Sequence, residues 1–579
     1  MAAIAEARAP RSAFLDFLAV ELAPREGRAL AVAHIVVGSV LTVAIAMVFR
    51  IPEPTYMAYI VFLVSREDRT ASVTTALGGQ IAVTLAVLLA LGLMMVDLSE
   101  PAVRLPAMVL STFIAMYALR TFALGPILYL AGFVLVMIQS VVDDLPSPEA
   151  LTHLALWLWV VLLVPVVIMV LVNLLFGQSV ELLTQRTVRK VLSELETGLM
   201  MGETRQYLAR WRELVAPLLG KQLHGGSNKR PLVSVTALRR LLDALVILEV
   251  LPEDTTQQVR EMLARRVGTA RAALEGGSKP DGTAASSSGA VSGERAPAVA
   301  AFEAALHALQ REIMQPGHSA APAAPHKRPL FVPDAFTNPA HWQFALKTAI
   351  AVMIVYFIYT MLDWPGLRTS IVTCFFVALG SVGETVHKLV LRISGALIGG
   401  LIAGLCIVFV LPHMTDIGQL SLLIAVVTAG AGWVATSSEL LSYAGLQIAF
   451  AFFLGVLQDY APATDLTVLR DRVVGILLGN VVMTIVFTTL WPESATAGVR
   501  AALAKARQAI SAVASRSGDP AEVRERTAQA LVQAEHFRLV RHFELSMLAR
   551  YSAPTAPIPQ IVDVERAAGE AFVATYDLA

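Results

Sequence analysis

Two blocks of long uncharged apolar runs flank a polar stretch, and they constrain this chain more than any single residue does. Residues 29–49, 70–96, 121–142 and 150–180 contain no Asp, Glu, Lys or Arg, and neither do 393–415, 417–438, 440–458 and 473–492. A helix needs about 20 apolar residues to cross a bilayer core. The pattern predicts an all-α polytopic membrane protein, of the kind that usually moves something across the bilayer.

Composition agrees. Of 579 residues, 56% are hydrophobic and 16% charged, against about 25% charged in a soluble domain. The 45 basic and 45 acidic residues cancel, so no global charge favours nucleic acid. Cys374 and Cys406 both lie in apolar runs and read as packing residues, with no disulfide framework and no zinc site. There is no Gly-x4-Gly-Lys-Ser/Thr loop to cradle nucleotide phosphates, no His-Glu-x-x-His and no Gly-x-Ser-x-Gly. No cofactor, metal or enzymatic activity is expected.

Four weaker segments bring the count to twelve spans, expected near 29–49, 53–66, 73–96, 103–120, 123–142, 152–176, 342–362, 366–383, 389–411, 416–434, 439–457 and 472–491. The two sets of six resemble each other. In each, a long span precedes a short one marked by Pro52 and Pro54, or by Pro365 and Gly366. A polar loop follows, then a Gly-rich span carrying Gly78-Gly79 or Gly399-Gly400, which would allow close helix packing. This is the layout of a parallel repeat.

Around the blocks, residues 1–28 form an N-terminal segment. It would be either an interfacial helix on the membrane or an extension of an uncleaved first span. Residues 177–340 read as a helical domain with a disordered loop at 276–298 and a Pro-rich linker at 316–333, and 493–579 as a helical tail. Arg11, Arg25, Arg28, Arg186, Arg189, Lys190, Lys327, Arg328, Arg500, Lys505 and Arg507 flank the blocks on one side. The positive-inside rule makes that side, with both termini, cytoplasmic. The other side is acidic, at Asp97, Glu100, Asp143, Asp144, Asp416 and Asp465, although Arg470 and Arg472 also fall there.

Shortened, Pro/Gly-marked segments at matching positions of two halves point to a transport site. The candidate substrate pathway is Tyr56, Tyr59, Arg66, Arg69, Thr373, Lys347, Arg392, Gln139 and Gln447. Arg66 and Arg69 either draw in an anion or are ordinary loop charge. Lys347 and Arg392 either line the path or snorkel to an interface. Candidate proton couplers are His34, which could also be a packed neutral histidine, and the loop acids Glu67, Asp68 and Glu384. Glu384, His387 and Lys388 are expected in the polar loop after the eighth span.

The segments Phe-Leu-Ala-Val-Glu-Leu-Ala-Pro-Arg-Glu-Gly-Arg at 17–28 and Thr-Thr-Leu-Trp-Pro-Glu at 488–493 bracket the membrane blocks. With six spans, a polar block, six spans and a helical tail, the chain resembles the fusaric acid resistance family of bacterial inner-membrane exporters. The resemblance implies efflux of aromatic or amphipathic organic anions. It also implies a periplasmic adaptor protein and an outer-membrane channel as partners, within an envelope-spanning pump that confers drug resistance. Membrane lipid is the other expected partner, and a homo-oligomer is left open. Plant malate channels look like distant relatives, with Trp491, Pro492 and Glu493 matching their Trp/Glu/Pro cluster as a structural motif. The reading favoured is an exporter driven by proton motive force. An anion channel of the malate type and a non-transporting sensor or scaffold are the alternatives.

Overall fold

Proline at the first or second helical position opens Pro54–Val64, Pro101–Thr121, Gly125–Gln139, Pro148–Phe176 and Pro339–Met361. Its missing N–H is an orphan donor there in any case. Side-chain caps start others: Asp68 accepts from the Ala71 N–H at 2.7 Å, and Asp416 from the Gln419 N–H at 2.9 Å. The computed structural model describes residues 18, 21–24, 27–66, 68–96, 100–145, 147–224, 233–252, 255–275, 297–314, 330–438, 440–458, 460, 465–515, 520–544 and 561–576. Residues 276–296 of the expected loop, most of the linker at 316–333 and most of the expected interfacial helix lie outside them, while Pro297 and Ala298 of that loop open a helix.

The chain divides into two units, Met1–Gln178 with Arg328–Pro492, and Ser179–Lys327 with Glu493–Ala579. The first unit contains α1 (Arg28–Phe49), α2 (Pro54–Val64), α3 (Arg69–Met94), α4 (Pro101–Thr121), α5 (Gly125–Gln139) and α6 (Pro148–Phe176). The second unit's first helices are α7 (Val180–Met201), α8 (Arg205–His224), α9 (Val235–Ile247), α10 (Gln257–Leu274) and α11 (Pro297–Met314). Back in the first unit come α12 (Pro339–Met361), α13 (Thr369–Val377), α14 (Val382–Phe409), α15 (Ile417–Ala435), α16 (Ser442–Val456) and α17 (Thr467–Thr489). The tail adds α18 (Ala495–Ala514), α19 (Pro520–Val540) and α20 (Ile561–Tyr576) to the second unit.

Among the described residues, nine helices are long and apolar enough to cross a membrane, and three apolar helices are shorter: Pro54–Val64, Pro365–Val377 and Ser442–Val456. Together they occupy the places of the twelve expected spans. An eleven-residue helix such as α2 rises only about 16 Å, half of a bilayer core. Such a helix must be shielded from lipid by its neighbours. Accordingly Met57, Ala58 and Val61 of α2 and Ile371, Cys374 and Val377 of α13 are fully buried.

The internal repeat is carried by packing. In the first half α1 packs on α2 and α6, α2 on α6, α6 on α3, α3 on α5, and α5 on α4. Replacing α1–α6 by α12–α17 in order reproduces the same contacts in the second half. The joints between halves obey the exchange too: α1 meets α15 as α12 meets α4, and α2 meets α16 as α13 meets α5. The correspondence follows chain order, as the expected six-helix repeat requires. Their cores are fused: Met108, Met116 and Val136 share one apolar cluster with Phe344, Val355 and Phe375.

One detail departs from the sequence expectation. Glu384, His387 and Lys388 are not in a loop. Ser381 and Glu384 form a reciprocal capping box, and α14 begins at Val382. Arg104 is also drawn into the bundle. It is 2% exposed and donates to Asp143 at 2.5 Å and to the Tyr356 hydroxyl at 3.3 Å.

The second unit is helical throughout its described residues. Leu238, Leu241, Leu245 and Ile247 of α9 are fully buried, with Trp211, Phe302 and Phe572 from α8, α11 and α20 in the same core. Segments on either side of the second membrane block therefore share one interior. Arg212, 3% exposed, lies between Glu565 at 2.6 Å and Glu249 at 3.8 Å.

Candidate functional site: a buried arginine between the two halves

Along α14, Arg392, Gly395, Gly399, Ala403 and Cys406 fall on one stripe of the helix and are all buried. The glycines let α16 come close. A Cβ at Gly395 would meet the Ala444 carbonyl at 2.6 Å and the Gln447 Cβ at 2.7 Å, and one at Gly399 would run into the Ile448 carbonyl. This close approach brings the first turns of α16 to Arg392.

Arg392 is 0% exposed. It lies about 15 Å along the axis from the helix start, at the edge of the charge-free run 393–415. Its Nε donates to Thr373 Oγ1 on α13 at 3.2 Å, and its Nη1 to the Tyr443 hydroxyl on α16 at 2.9 Å. Its Nη2 is buried without a partner, and among the described residues no ion pair involves it. Lys388, one turn earlier on α14, holds its ammonium 4.9 Å above the Tyr443 ring. A fully buried guanidinium normally has a carboxylate partner. Here its partners are two neutral hydroxyls.

Aromatic rings cluster at both joints between the halves, and one tyrosine from each cluster comes within electrostatic reach of this cation. Tyr59 of α2 packs on Phe450 of α16 with centroids 4.2 Å apart, and Tyr56 reaches the same ring at 6.0 Å. The exchange-related joint holds Tyr129 and Phe133 of α5 against Phe375 and Phe376 of α13, with centroids 5.2–6.3 Å apart. Tyr59 and Tyr129 are each within electrostatic reach of Arg392 and Tyr443, and Gln447 lies beside Tyr59.

The bundle end that carries Asp143 and Asp144 is tied across the halves. Arg368 pairs with Asp144, and Tyr356 donates to Asp143 at 3.2 Å beside the Arg104 pair. Arg472 donates to Thr369 Oγ1 at 3.1 Å.

The structure thus gathers Tyr56, Tyr59, Thr373, Arg392 and Gln447 of the expected pathway. The others stand elsewhere. Arg66 and Arg69 are exposed around the α2–α3 turn. Lys347 is 2% exposed and donates to the Trp491 carbonyl at 3.0 Å, with its ammonium 4.9 Å over Phe487. Gln139 is fully buried on α5, 3.5 Å from Ser111 Oγ. Among the proton candidates, His34 faces the Phe176 carbonyl across α1 and α6. Asp68 and Glu384 are helix caps, and Glu67 lies outside the described residues. Trp491, at φ 41°, meets Trp342 at 5.5 Å; with Pro492 it closes the membrane unit, and Glu493 opens the other.

Sequence reasoning missed Tyr443, Phe450, Tyr129 and Phe133 as parts of the site, and placed Lys388 in a loop. A signal for Lys388 was present, because the Ser381/Glu384 capping box puts Lys388 and Arg392 one turn apart on the helix.

Comparison with known proteins gives the same direction. Residues 350–486, which include Thr373, Lys388, Arg392, Tyr443, Gln447 and Phe450, match a family described as fusaric acid resistance protein-like. The chain is 28% identical over 514 residues to multidrug resistance protein MdtO of Escherichia coli strain K12, covering 85% of this chain and 74% of that one. It is 29% identical over the same length and shares to the MdtO proteins of Escherichia coli O157:H7 and Shigella flexneri. No solved structure matches the chain.

Proposed function

We propose that this chain, which is similar over residues 350–486 to the fusaric acid resistance protein-like family and along most of its length to multidrug resistance protein MdtO, is a multi-pass membrane efflux transporter that exports aromatic or amphipathic organic anions across the bacterial inner membrane. The observation that carries this reading is Arg392, a fully buried cation with no ion-pair partner among the described residues and with Tyr59 and Tyr129 within electrostatic reach. Holding a buried, uncompensated charge costs several kcal/mol. A cargo carboxylate would offset that cost, while its apolar part packs against Tyr59, Phe450, Phe375 and Phe376.

The site lies where α2 and α13 each meet the opposite half. Movement of one half against the other would then expose Arg392 to either face in turn. The Arg368–Asp144 and Arg104–Asp143 pairs would close the acidic end, which the positive-inside reading makes periplasmic. Proton motive force is the proposed energy source. One charge crossing 100 mV releases about 2.3 kcal/mol, enough for a gradient of roughly fiftyfold. A periplasmic adaptor and an outer-membrane channel would complete the route out of the cell.

The test is a deletion strain challenged with aromatic carboxylic acids and their uncharged amides. The wild-type protein should restore resistance to the acids and not to the amides, and Arg392→Gln, at equal membrane abundance, should restore neither. Full protection by Arg392→Gln would contradict the proposal.

A further inference from the structure

Arg392 presents two adjacent donors, Nη1 and Nη2, in the fork that matches a carboxylate. Nη2 is buried without a partner, and Nη1 donates to the Tyr443 hydroxyl at 2.9 Å. On the other side of the guanidinium, the Nε acceptor is fixed. The Thr373 hydroxyl that receives it donates in turn to the Thr369 carbonyl within α13, at 3.0 Å. The Tyr443 hydroxyl accepts from Arg392, while the Lys388 ammonium lies 4.9 Å over its ring. Tyr443 also stands in the first turn of α16, a helix start without a side-chain cap. That turn is free of one of the usual restraints on movement.

We propose that Tyr443 is a displaceable latch on the anion site: an incoming carboxylate takes Nη1 and Nη2 together, and the Tyr443 hydroxyl gives way while its ring stays under Lys388. The exchange is favourable because a bidentate ion pair replaces one bond to a neutral oxygen. It also gives the site a moving part. Occupancy of Arg392 releases the start of α16, and α16 is the helix that crosses to α2 of the opposite half. Tyr443 is thus a positioning residue that couples binding to the joint between halves. This inference rests on the anion-site reading above.

The experiment measures binding of the fluorescent aromatic carboxylate 1-naphthoate to the full chain in lipid nanodiscs, and its transport in proteoliposomes. Tyr443→Phe keeps the ring and removes the hydroxyl. It should tighten binding on the order of tenfold and lower KM without raising kcat. A merely structural role would leave KM unchanged or raise it. Unchanged or weaker binding in Tyr443→Phe, with binding lost in Arg392→Gln, overturns the latch and leaves the anion site standing. Wild-type binding in Arg392→Gln overturns the anion site itself, whatever Tyr443→Phe does. Should Tyr443→Phe fail to fold, Tyr443→Met is read by the same criteria.

Discussion

A lysine and an arginine are both buried in the membrane unit, and they are used differently. Lys347 has an acceptor of its own in the Trp491 carbonyl, so it closes the end of α17 without any outside group. Arg392 has neutral partners and an unpartnered nitrogen. Replacing Lys347 by Met should leave the Trp491 carbonyl unsatisfied, costing about 1–3 kcal/mol. It should appear as a lower melting temperature in detergent with an unchanged KM. A raised KM at unchanged stability would instead put Lys347 on the substrate path. Both cations were legible in the sequence as charges inside apolar runs. Their different partners were not, because those depend on which face of α12 meets α17 and which face of α14 meets α16. The same limit hid Tyr443 and Phe450. Nothing in an apolar run distinguishes a ring facing lipid from one facing a guanidinium.

At the scale of elements, glycine pairs that look alike in sequence have unlike surroundings. A Cβ at Gly399 would collide with the Ile448 carbonyl and lie 3.0 Å from the Ala451 Cβ, while one at Gly79 would meet only the Leu130 side chain at 3.8 Å. Gly399→Ala should therefore destabilise the membrane unit by about 1–3 kcal/mol, and Gly79→Ala should be nearly silent. Thermal melting of the two variants decides it. The half-length of α2 and α13 was readable from their flanking prolines and short apolar runs. The start of α14 was misplaced because Glu384 was taken as a loop charge when it is half of a capping box. In the second unit, burial pushes the Glu565 carboxyl above the ordinary glutamate range, opposed by Arg212 and reinforced by Glu249 and Glu535. A carboxyl raised in this way stabilises the fold below its ordinary value and loses that contribution as pH rises through the raised one. Hydrogen exchange along α20, corrected for intrinsic rates, should accelerate across that window. Glu565→Gln should flatten the dependence, and an unchanged profile in that variant would exclude Glu565 as its source.

For the whole molecule, twelve apolar segments and a six-helix repeat could be read from charge-free runs and paired glycines. What sequence could not supply was the joint, in which α2 packs on α16 and α13 on α5, because those partners are hundreds of residues apart. Orientation has its own test. Cys374 and Cys406 are both buried, so an introduced cysteine reports cleanly. Asp465→Cys should react with an impermeant thiol reagent in spheroplasts, and Thr255→Cys should not. The reverse pattern would invert the proposed topology. The central claim is that Arg392 holds the charge of the transported anion, and counterflow in proteoliposomes tests it without depending on the energy source. Vesicles loaded with unlabelled 1-naphthoate should accumulate labelled 1-naphthoate through the wild-type protein and fail to do so with Arg392→Gln. Equal counterflow by the two proteins would contradict the account.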